Sequence, residues 1–342
     1  MDRRTLLVGA AGAAAAAVVP TAAHAESSTA PAAASRPGSA RPLTRFNVIS
    51  DIQGDMGDLD VALQDMNATN PGSSGLAIAG DITPRGYDFE YAAVRTAFGK
   101  RSHPKTLAWS IGNHEFYVPK WKDPQTLAQE TWPNGTTEDS LFRSFYNFAG
   151  RNTIYSEHSF GGIPVLSIGT EKYMKYHDST LWDEVWMSEA QLTWLTQRLA
   201  YWERRRKPVM VVSHHPLTHS VSGTYSTIYE RDYLQSDRLL SILGRHKDVF
   251  FFCGHTHWDL HLNDWCVRRV VPGTANPDGF SVINTGAIQT GYTDNGAGGE
   301  VPVSGPFNQG LQVEVYRSKV VILARDFHTG IWIKQATVPL LR

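Results

Sequence analysis

The sequence predicts an α/β sandwich, a fold in which two β-sheets pack together with flanking helices. From Phe46 onward, short apolar runs of the β type alternate with helical patterns, as is typical of βαβ units. After Gly254 the pattern changes to short strands separated by Gly- and Asn-rich turns, as far as Leu341. A chain of 342 residues, 42% of them hydrophobic, is long and apolar enough to bury such a core. We therefore expect one domain over residues 43–342.

The first part of this domain supplies five predicted elements. Short apolar runs bounded by polar segments predict buried strands, and apolar residues spaced three and four apart predict helices. In chain order we predict a strand at 46–49, a helix at 59–66, a strand at 76–79, a helix at 89–98 and a strand at 107–111.

The clearest predicted helix begins at Ser188. Ser188 and Gln191 have the spacing of a capping box, in which each side chain accepts from the backbone N–H of the other residue. Apolar residues follow at helical spacing as far as Trp202, and the basic run 204–206 suits the negative end of the helix dipole. Beyond this helix we predict a strand at 209–212, a helix at 239–243, a strand at 249–252 and a surface loop at 293–305.

The first residues have the pattern of an export signal. Arg3 and Arg4 precede an apolar run that is shorter than the roughly 20 residues of a membrane span, and Ala23-His24-Ala25 is a small-residue cleavage site. The paired arginines resemble a twin-arginine signal, and a general secretory signal is the alternative. We predict a signal peptide at 1–25, cleavage after Ala25, an Ala-, Ser- and Pro-rich linker at 26–42, and an exported or extracellular protein.

The charge and the cysteine content exclude some function classes. With 32 basic and 33 acidic residues, the chain has no electrostatic footprint for nucleic acid or an anionic membrane. Two cysteines, Cys253 and Cys266, cannot form a disulfide framework. A single bridge between them and a buried core position for Cys253 are both open, and nothing in the sequence indicates the oligomeric state.

Five short polar motifs stand where predicted strands end. They are Asp51-Ile52-Gln53, Gly80-Asp81, Gly112-Asn113-His114-Glu115, Ser213-His214-His215-Pro216 and Gly254-His255-Thr256-His257. One such motif is usually a turn, but five in this order indicate a site, because open α/β sheets bind ligands beyond the carboxyl ends of their strands. Their carboxylates and imidazoles suit Zn, Mn and Fe. A shared carboxylate would allow two metal ions about 3.5–4 Å apart to hold a phosphate between them.

Together the motifs resemble those of the calcineurin-like metallophosphoesterase superfamily, whose pattern runs Asp-x-His, Gly-Asp, Gly-Asn-His-Asp/Glu, His and Gly-His-x-His. The resemblance extends from about Phe46 to Ala287 and includes the start of the helix at Ser188. It implies a two-sheet fold of the metallophosphoesterase type that binds two divalent or trivalent metal ions (Mn, Fe or Zn). It also implies hydrolysis of a small-molecule phosphoester by a metal-bridged hydroxide, as a phosphodiesterase or a phosphomonoesterase.

The resemblance assigns the metal ligands position by position. Asp51 and His257 would hold the first metal, with Gln53 standing where the family has a histidine. Asp81 would bridge the two metals.

The second metal would be held by Asn113, His214 and His255. Of the adjacent histidines we choose His214, because family members with one histidine here have it directly at the strand end; His215 would then face the substrate or support the ligands.

The same resemblance makes His114 the general acid that protonates the leaving oxygen. Glu115 would orient His114, as residues behind a metal site often do.

Gln53 is the one departure from the family pattern. An amide oxygen is usually a poorer donor to transition metals than imidazole, so the first metal site is expected to be weaker or to select a harder metal. The alternative function is therefore an exported, non-catalytic binding module with a degenerate metal site. A two-domain 5′-nucleotidase fits less well, because the sequence after Ala287 is short for a second substrate domain.

Aromatic residues surround the third motif and precede the capped helix. They either line a substrate pocket or pack loops onto the core, and the sequence does not distinguish the two. The residues are Tyr117, Trp121, Trp132, Tyr173, Tyr176, Trp182 and Trp186.

Overall fold

Two six-stranded sheets form the framework of the described chain, with helices on their outer faces. The computed structural model describes residues 41–225, 227–229 and 232–341. The predicted signal peptide at 1–25, and the predicted linker except for residues 41 and 42, lie outside the described residues. The two-sheet α/β sandwich predicted from the sequence is confirmed.

The strands and helices have the following bounds. The strands are β1 (Thr44–Ile49), β2 (Leu76–Ala79), β3 (Leu107–Ser110), β4 (Trp121–Asp123), β5 (Thr126–Leu127), β6 (Ser156–Phe160), β7 (Ile163–Ser167), β8 (Val209–Ser213), β9 (Val249–Cys253), β10 (Cys266–Arg269), β11 (Phe280–Asn284), β12 (Tyr292–Asp294), β13 (Glu300–Pro302), β14 (Gln309–Val315), β15 (Lys319–Asp326) and β16 (Ile331–Pro339). The helices are α1 (Met56–Thr69), α2 (Asp88–Gly99), α3 (Glu138–Ala149), α4 (Glu189–Glu203) and α5 (Ser236–Leu243). None of the described helices combines the length and hydropathy that crossing a membrane requires.

Parallel strands form one half of the first sheet and the centre of the second. The first sheet has the order β16-β15-β14-β1-β2-β3, and the second has the order β10-β11-β9-β8-β7-β6. Strands β1, β2 and β3 are parallel, as are β7, β8, β9 and β11. The strands after residue 260 are shared between the two sheets, because β10 and β11 join the second while β14, β15 and β16 join the first.

Three apolar clusters hold the layers together. One lies between the sheets, one under α1, α2 and α3, and one under α4 and α5. In β8, Met210 and Val212 belong to the cluster between the sheets, whereas Val209 and Val211 belong to the cluster under α4 and α5. Because side chains alternate along a strand, a strand covered on both faces is apolar throughout. This explains why the central strands are continuous apolar runs in the sequence.

The predicted elements before Gly254 are all present, and β2 has the predicted bounds. The sequence analysis missed α3, β6, β7 and the β4–β5 hairpin. The prediction of a loop at 293–305 was wrong, since β12 and β13 pair there across Thr293 and Val301. Strands of three residues between glycines are too short to show a periodic apolar pattern.

The capping box predicted at α4 forms only in part. The Ser188 hydroxyl accepts from the backbone N–H of Gln191, at 3.1 Å, as expected. The Gln191 side chain does not return this bond; it is buried and bonds to both backbone groups of Gly169. The backbone N–H of Ser188 instead donates to Glu171, at 2.7 Å. A tertiary contact therefore replaces the local one, because the loop before α4 brings a stronger, charged acceptor to the same N–H.

Both cysteines are free thiols. Cys253 is fully buried in β9, and burial raises the pKa of its thiol well above the usual range. Its position favours the core interpretation over a disulfide with Cys266.

Candidate metal centre

The five motifs meet at one edge of the sandwich. The first three follow β1, β2 and β3 of the first sheet, and the last two follow β8 and β9 of the second. Strands that are parallel within a sheet end at the same edge, so each sheet gathers its own motifs there. His214 joins the two sheets at this edge, since its Nδ1 lies 2.8 Å from the carbonyl oxygen of Ala79 at the end of β2.

The backbone at these strand ends is strained. Five predicted ligands have a positive φ, from 44° at Gln53 to 69° at His255. Non-glycine residues rarely adopt this conformation, which costs about 1–3 kcal/mol and is concentrated at functional sites. The five are Asp51, Gln53, Asp81, His255 and His257. Five such residues at one edge indicate that this backbone conformation is kept for a function, although it lowers the stability of the fold.

Two groups of buried side chains share one carboxylate. The ligating atoms of Asp81, His214 and His255 lie within 4.8 Å of one another, and so do those of Asp51, Asp81 and His257. All of these residues are buried. Asp81 therefore stands between two candidate metal positions, where a carboxylate can bridge.

Asn113 joins the group that contains His214. The His214 Nε2 atom lies 2.8 Å from Asn113 Oδ1, 3.2 Å from Asp81 Oδ1 and 3.0 Å from His255 Nδ1. The structure places His214, rather than His215, in this group. The ring of His215 packs against that of His255, with centroids 4.4 Å apart.

Backbone carbonyls orient three of the histidine rings. The Nδ1 atoms of His214, His257 and His114 lie 2.8, 2.7 and 2.9 Å from carbonyl oxygens. The acceptors are, in that order, Ala79, Thr290 and Pro84. A carbonyl only accepts, so each Nδ1 holds a proton and each Nε2 is left for the chemistry of the centre.

His255 has the opposite orientation. Its Nδ1 faces His214, and its Nε2 lies 3.9 Å from the buried carboxylate of Asp232. A carboxylate behind an imidazole favours a proton on the near nitrogen, so that the far nitrogen can ligate. Asp232 was not predicted from the sequence, because it lies 19 residues beyond the end of β8 and belongs to no motif.

Gln53 also lies in the centre. Its Nε2 is 2.8 Å from Asp81 Oδ2 and 3.0 Å from His257 Nε2, and the same His257 atom is 2.9 Å from Asp51 Oδ1. A carboxylate only accepts, so in this arrangement the amide donates to Asp81. A half-turn of the amide would bring Oε1 to the same place, where it could act as a ligand.

Glu115 holds loops rather than the ring of His114. Its two carboxylate oxygens accept from the backbone N–H groups of Gly112, Asp81 and Thr83, at 2.7–3.1 Å, and from the Thr83 hydroxyl. The ring of His114 is oriented through Nδ1 by the carbonyl of Pro84. The role expected for Glu115 is corrected accordingly: it ties the loops after β2 and β3 together, because its buried oxygens face several donors from those loops.

His114 stands at the accessible side of the centre. Its side chain is 19% exposed, whereas those of Asp81 and His214 are 0% exposed. Its Nε2 lies 3.8 Å from Asp81 Oδ2, and its backbone N–H donates to Asp81 Oδ1 at 2.9 Å. The ring is therefore next to the shared carboxylate and partly open to solvent.

The pKa values show that the centre attracts positive charge. Burial raises the pKa of Asp81, but His214 and His114 outweigh it and hold the pKa well below its usual range. Burial lowers the pKa of His214, but the charge of Asp81, followed by that of Asp51, raises it to about 9. Burial, and then the charge of Asp81, raises the pKa of Glu115 to about 7. A metal ion would supply the charge that a proton on His214 otherwise supplies.

The atoms around His214 Nε2 suit a transition-metal ion better than they suit a proton on that nitrogen. His214 Nε2 faces three possible acceptors, namely Asn113 Oδ1, Asp81 Oδ1 and His255 Nδ1, and one proton can serve only one of them well. A cation at their common point would satisfy all of these lone pairs together. Carboxylate oxygens combined with imidazole nitrogens suit Mn, Fe and Zn.

Gly112 leaves the space that Asp81 occupies, and we predict that Gly112→Ala disables the centre. A Cβ atom at residue 112 would collide with Oδ1 and the backbone nitrogen of Asp81. Displacement of the shared carboxylate should lower metal content and slow any metal-dependent reaction at this site by about 10²-fold, the loss that a misplacement of about 1 Å can cause. Metal content by elemental analysis and steady-state rates test this. Gly99→Ala is the matched control, since a Cβ there meets nothing within 4 Å; equal behaviour of the two variants would contradict the prediction.

Two residues beside the centre have a role that the sequence analysis did not assign. The Tyr117 hydroxyl accepts from Asn113 Nδ2, at 2.6 Å, and donates to Asp183 Oδ2, at 2.7 Å. In the sequence, Tyr117 is one of several aromatic residues, and Asp183 is a single acid in a loop. Asp183 is 66 residues from Tyr117 in the sequence, so no local pattern could have revealed the link.

Other aromatic residues of this region pack loops. Trp121 lies against the guanidinium of Arg85, whose Cζ is 4.8 Å from the ring centroid. Trp132 packs on Tyr176, with centroids 4.5 Å apart.

Comparisons with known proteins agree with this geometry. The family model of the calcineurin-like phosphoesterases matches residues 44–259, and a domain of unknown function, DUF4073, matches residues 260–340. No curated protein gives a significant sequence match. A dimetal phosphatase from Danio rerio is similar in structure, with a TM-score of 0.59 and 16% identity over 87% of this chain and 99% of that chain. A purple acid phosphatase from yellow lupin (Lupinus luteus) has a TM-score of 0.55 and 12% identity, over 86% of this chain and 53% of that chain. At such identities the two structures are evidence for the fold alone.

Proposed function

The chain belongs to the calcineurin-like phosphoesterase family, and on that basis we propose that it is a metal-dependent hydrolase of small phosphoesters. The observation that carries the proposal is the shared carboxylate of Asp81, which belongs to two groups of buried potential metal ligands. We propose that the first metal is held by Asp51, Asp81 and His257, and the second by Asp81, Asn113, His214 and His255.

Bound metal ions supply Lewis-acid polarisation of the phosphate oxygens and lower the pKa of the attacking water. The protein's own residues position the metal ligands and transfer protons. The left-handed turns at the strand ends hold the carboxylates and imidazoles, and the carbonyls of Ala79 and Thr290 keep the Nε2 atoms of His214 and His257 directed to the centre.

We propose His114 as the general acid. The carbonyl of Pro84 accepts the Nδ1 proton, so the proton that can be transferred sits on Nε2. This atom lies on the accessible side, near Asp81, where the leaving oxygen of a bound phosphoester would stand. Transfer of that proton neutralises the charge that develops on the leaving group.

The alternative is a non-catalytic binding module. In that case the replacement of histidine by Gln53 has led to the loss of one metal ion and of the activity. Metal content, measured together with turnover of p-nitrophenyl phosphate and bis-p-nitrophenyl phosphate, separates the two. The protein should be loaded with Mn, Zn, Fe, Co or Ca in turn. Metal-dependent turnover of either ester supports the hydrolase, and the preferred ester indicates whether it acts on monoesters or diesters. Two bound metals without turnover of either ester would contradict the proposal.

The replacement Gln53→His tests whether the first metal site is weak. An imidazole is a better donor than an amide, and residue 53 has contacts with both Asp81 and His257. We expect the variant to need less metal for half-maximal rate, in a metal titration of activity with stoichiometry from elemental analysis. Gln64→His, on the exposed face of α1, is the matched control. If the native protein already binds two metals tightly and Gln53→His changes nothing, Gln53 is a hydrogen-bond donor to Asp81 instead.

We further propose that residues 43–342 act as one domain, since each six-stranded sheet contains strands from before and from after residue 260 in the sequence. The exported location stays a prediction from residues 1–25.

A further inference from the structure

A hydrogen-bonded chain leads from the proposed second metal position into the loop before α4. Asn113 Oδ1 faces His214 Nε2 at 2.8 Å, and on the other side of the amide Nδ2 donates to the Tyr117 hydroxyl at 2.6 Å. That hydroxyl donates to Asp183 Oδ2 at 2.7 Å. We propose that Tyr117 and Asp183 are positioning residues that keep the oxygen of Asn113 directed to the metal. This inference rests on the proposed function, because it assigns a task that exists only when metal binds beside Asn113.

The direction of each hydrogen bond follows from the acid at the end of the chain. An ionised carboxylate only accepts, so the single proton of the Tyr117 hydroxyl is directed to Asp183. The hydroxyl then presents a lone pair to Asn113, and the amide must turn its NH2 group towards Tyr117. The oxygen of Asn113 is left on the opposite side, where His214 Nε2 lies. Asp183 thus sets the orientation of a ligand that it does not touch.

The surroundings allow little freedom to this chain. Asn113 and Tyr117 are buried, and the Tyr117 ring packs against that of His114, with centroids 4.5 Å apart. The ammonium group of Lys120 lies 3.2 Å from the centroid of the Tyr117 ring. A ring that is held from several sides keeps its hydroxyl in one place, which a positioning role requires.

The loop that carries Asp183 is also held in place. The backbone N–H of Val185 donates to the carbonyl of Asp232, and the N–H of Leu234 donates to the carbonyl of Val185, at 2.7 and 3.0 Å. The N–H of Trp182 donates to Glu184, at 2.7 Å. The segments that carry Asp183 and Asp232 are therefore fastened to each other, and each supplies a carboxylate that supports a different predicted ligand of the second metal.

The test is a calorimetric titration of the metal-free, full-length protein with Mn²⁺. Loss of a supporting residue typically lowers metal affinity by about 10–100-fold. We expect Tyr117→Phe to show such a loss at one of the two binding steps and little change at the other. Tyr176→Phe is the matched control, because its hydroxyl donates to the carbonyl of Thr136, at 2.8 Å, in the same shell of loops. Unchanged affinity in Tyr117→Phe, or an equal loss in Tyr176→Phe, would overturn the proposal.

Substitutions at Asp183 separate the acceptor from the rest of the loop. Asp183→Ala removes the acceptor, so the tyrosine hydroxyl can turn to Asn113, and Mn²⁺ affinity should fall at the same binding step. Asp183→Asn keeps one acceptor oxygen, and its loss should be smaller. If Asp183→Ala retains native Mn²⁺ affinity, Asp183 has no positioning role.

A double-mutant cycle distinguishes orientation of the amide from general support of the fold. Asn113→Asp puts two equivalent oxygens in place of the amide, so the orientation of residue 113 no longer matters. In that background, Tyr117→Phe should change Mn²⁺ affinity by less than about 2-fold, against the roughly 10–100-fold loss expected with Asn113. The same loss in both backgrounds would show a purely structural role and overturn the proposal.

Failure of this inference is distinguishable from failure of the proposed function. A native protein that binds two Mn²⁺ ions and hydrolyses an ester, together with an unaffected Tyr117→Phe variant, would reject the positioning role alone. A native protein that binds no metal would reject both.

Discussion

The Asp81→Asn variant is expected to lose most of its bound metal and nearly all of its hydrolytic activity. Asp81 is the residue common to both groups of potential ligands, so both metal positions lose a negatively charged ligand at once. Its oxygens already face donors on both sides: Oδ1 accepts from the backbone N–H of His114, and Oδ2 accepts from Gln53. An asparagine would turn one of these acceptors into a donor that faces another donor. The rate should fall by more than the roughly 10²–10³-fold that loss of one preorganised donor costs.

Elemental analysis after loading with Mn²⁺, together with steady-state rates on the better of the two nitrophenyl esters, measures this effect. Circular dichroism would establish that the variant is folded. Asp60→Asn is a suitable control, because Asp60 pairs with Arg101 on the surface and belongs to neither group of potential ligands. An Asp81→Asn protein with two bound metals and native activity would refute the assignment of the shared ligand.

The His114→Ala variant should keep both metals and turn over about 10²–10⁴-fold more slowly, the usual range for general acid catalysis. His114 is not a member of either group of potential ligands, so metal content should not depend on its ring. The contact that places Asp81 is made by the backbone N–H of His114, and alanine retains it. The effect therefore reports on the ring and its Nε2 proton.

The dependence of this rate loss on the acidity of the leaving group distinguishes loss of proton transfer from a general disturbance of the site. Aryl esters with acidic phenols need no proton from the enzyme, so the loss in His114→Ala should shrink as the leaving group becomes more acidic. Rates for a series of such esters, native against variant, measure the slope, with His328→Ala, an exposed histidine, as control. An equal loss for good and poor leaving groups would exclude the acid role.

Much of the fold was predictable because both faces of the central strands are covered. In β8 and β9 all residues are buried, so these strands stand out as apolar runs in the sequence. Among the elements that the sequence analysis missed, β7 has this signal too, since all of its residues are buried, but others lack it. Strand β6 pairs with β7 at the end of the second sheet and is apolar only at Phe160, and the strands β12 and β13 are three residues long.

The membership of the candidate centre was also predictable. Parallel strands end at one edge, and the polar residues after their ends are therefore gathered there, whatever lies between them in the sequence. Asp51, Asp81, His214, His255 and His257 come together for this reason. The assignment of ligands to each metal came from the family resemblance, and the meeting of motifs from two sheets depends on how the sheets pack.

The supporting residues depend on tertiary contacts that no local pattern encodes. Glu115 was assigned to the ring of His114 from the family resemblance, yet its carboxylate accepts from backbone N–H groups of the loops after β2 and β3. Asp183 and Asp232 belong to no motif and lie deep in the long segments that follow β7 and β8, 16 and 19 residues beyond the ends of those strands. The sequence alone therefore specifies which chemical groups reach the edge of the sheets, since strand order and residue type are sufficient for that. The orientation of each group depends on the fold, because a hydrogen bond needs a partner within about 3 Å, and partners such as Ala79 for His214 and Asp183 for Tyr117 are far away along the chain.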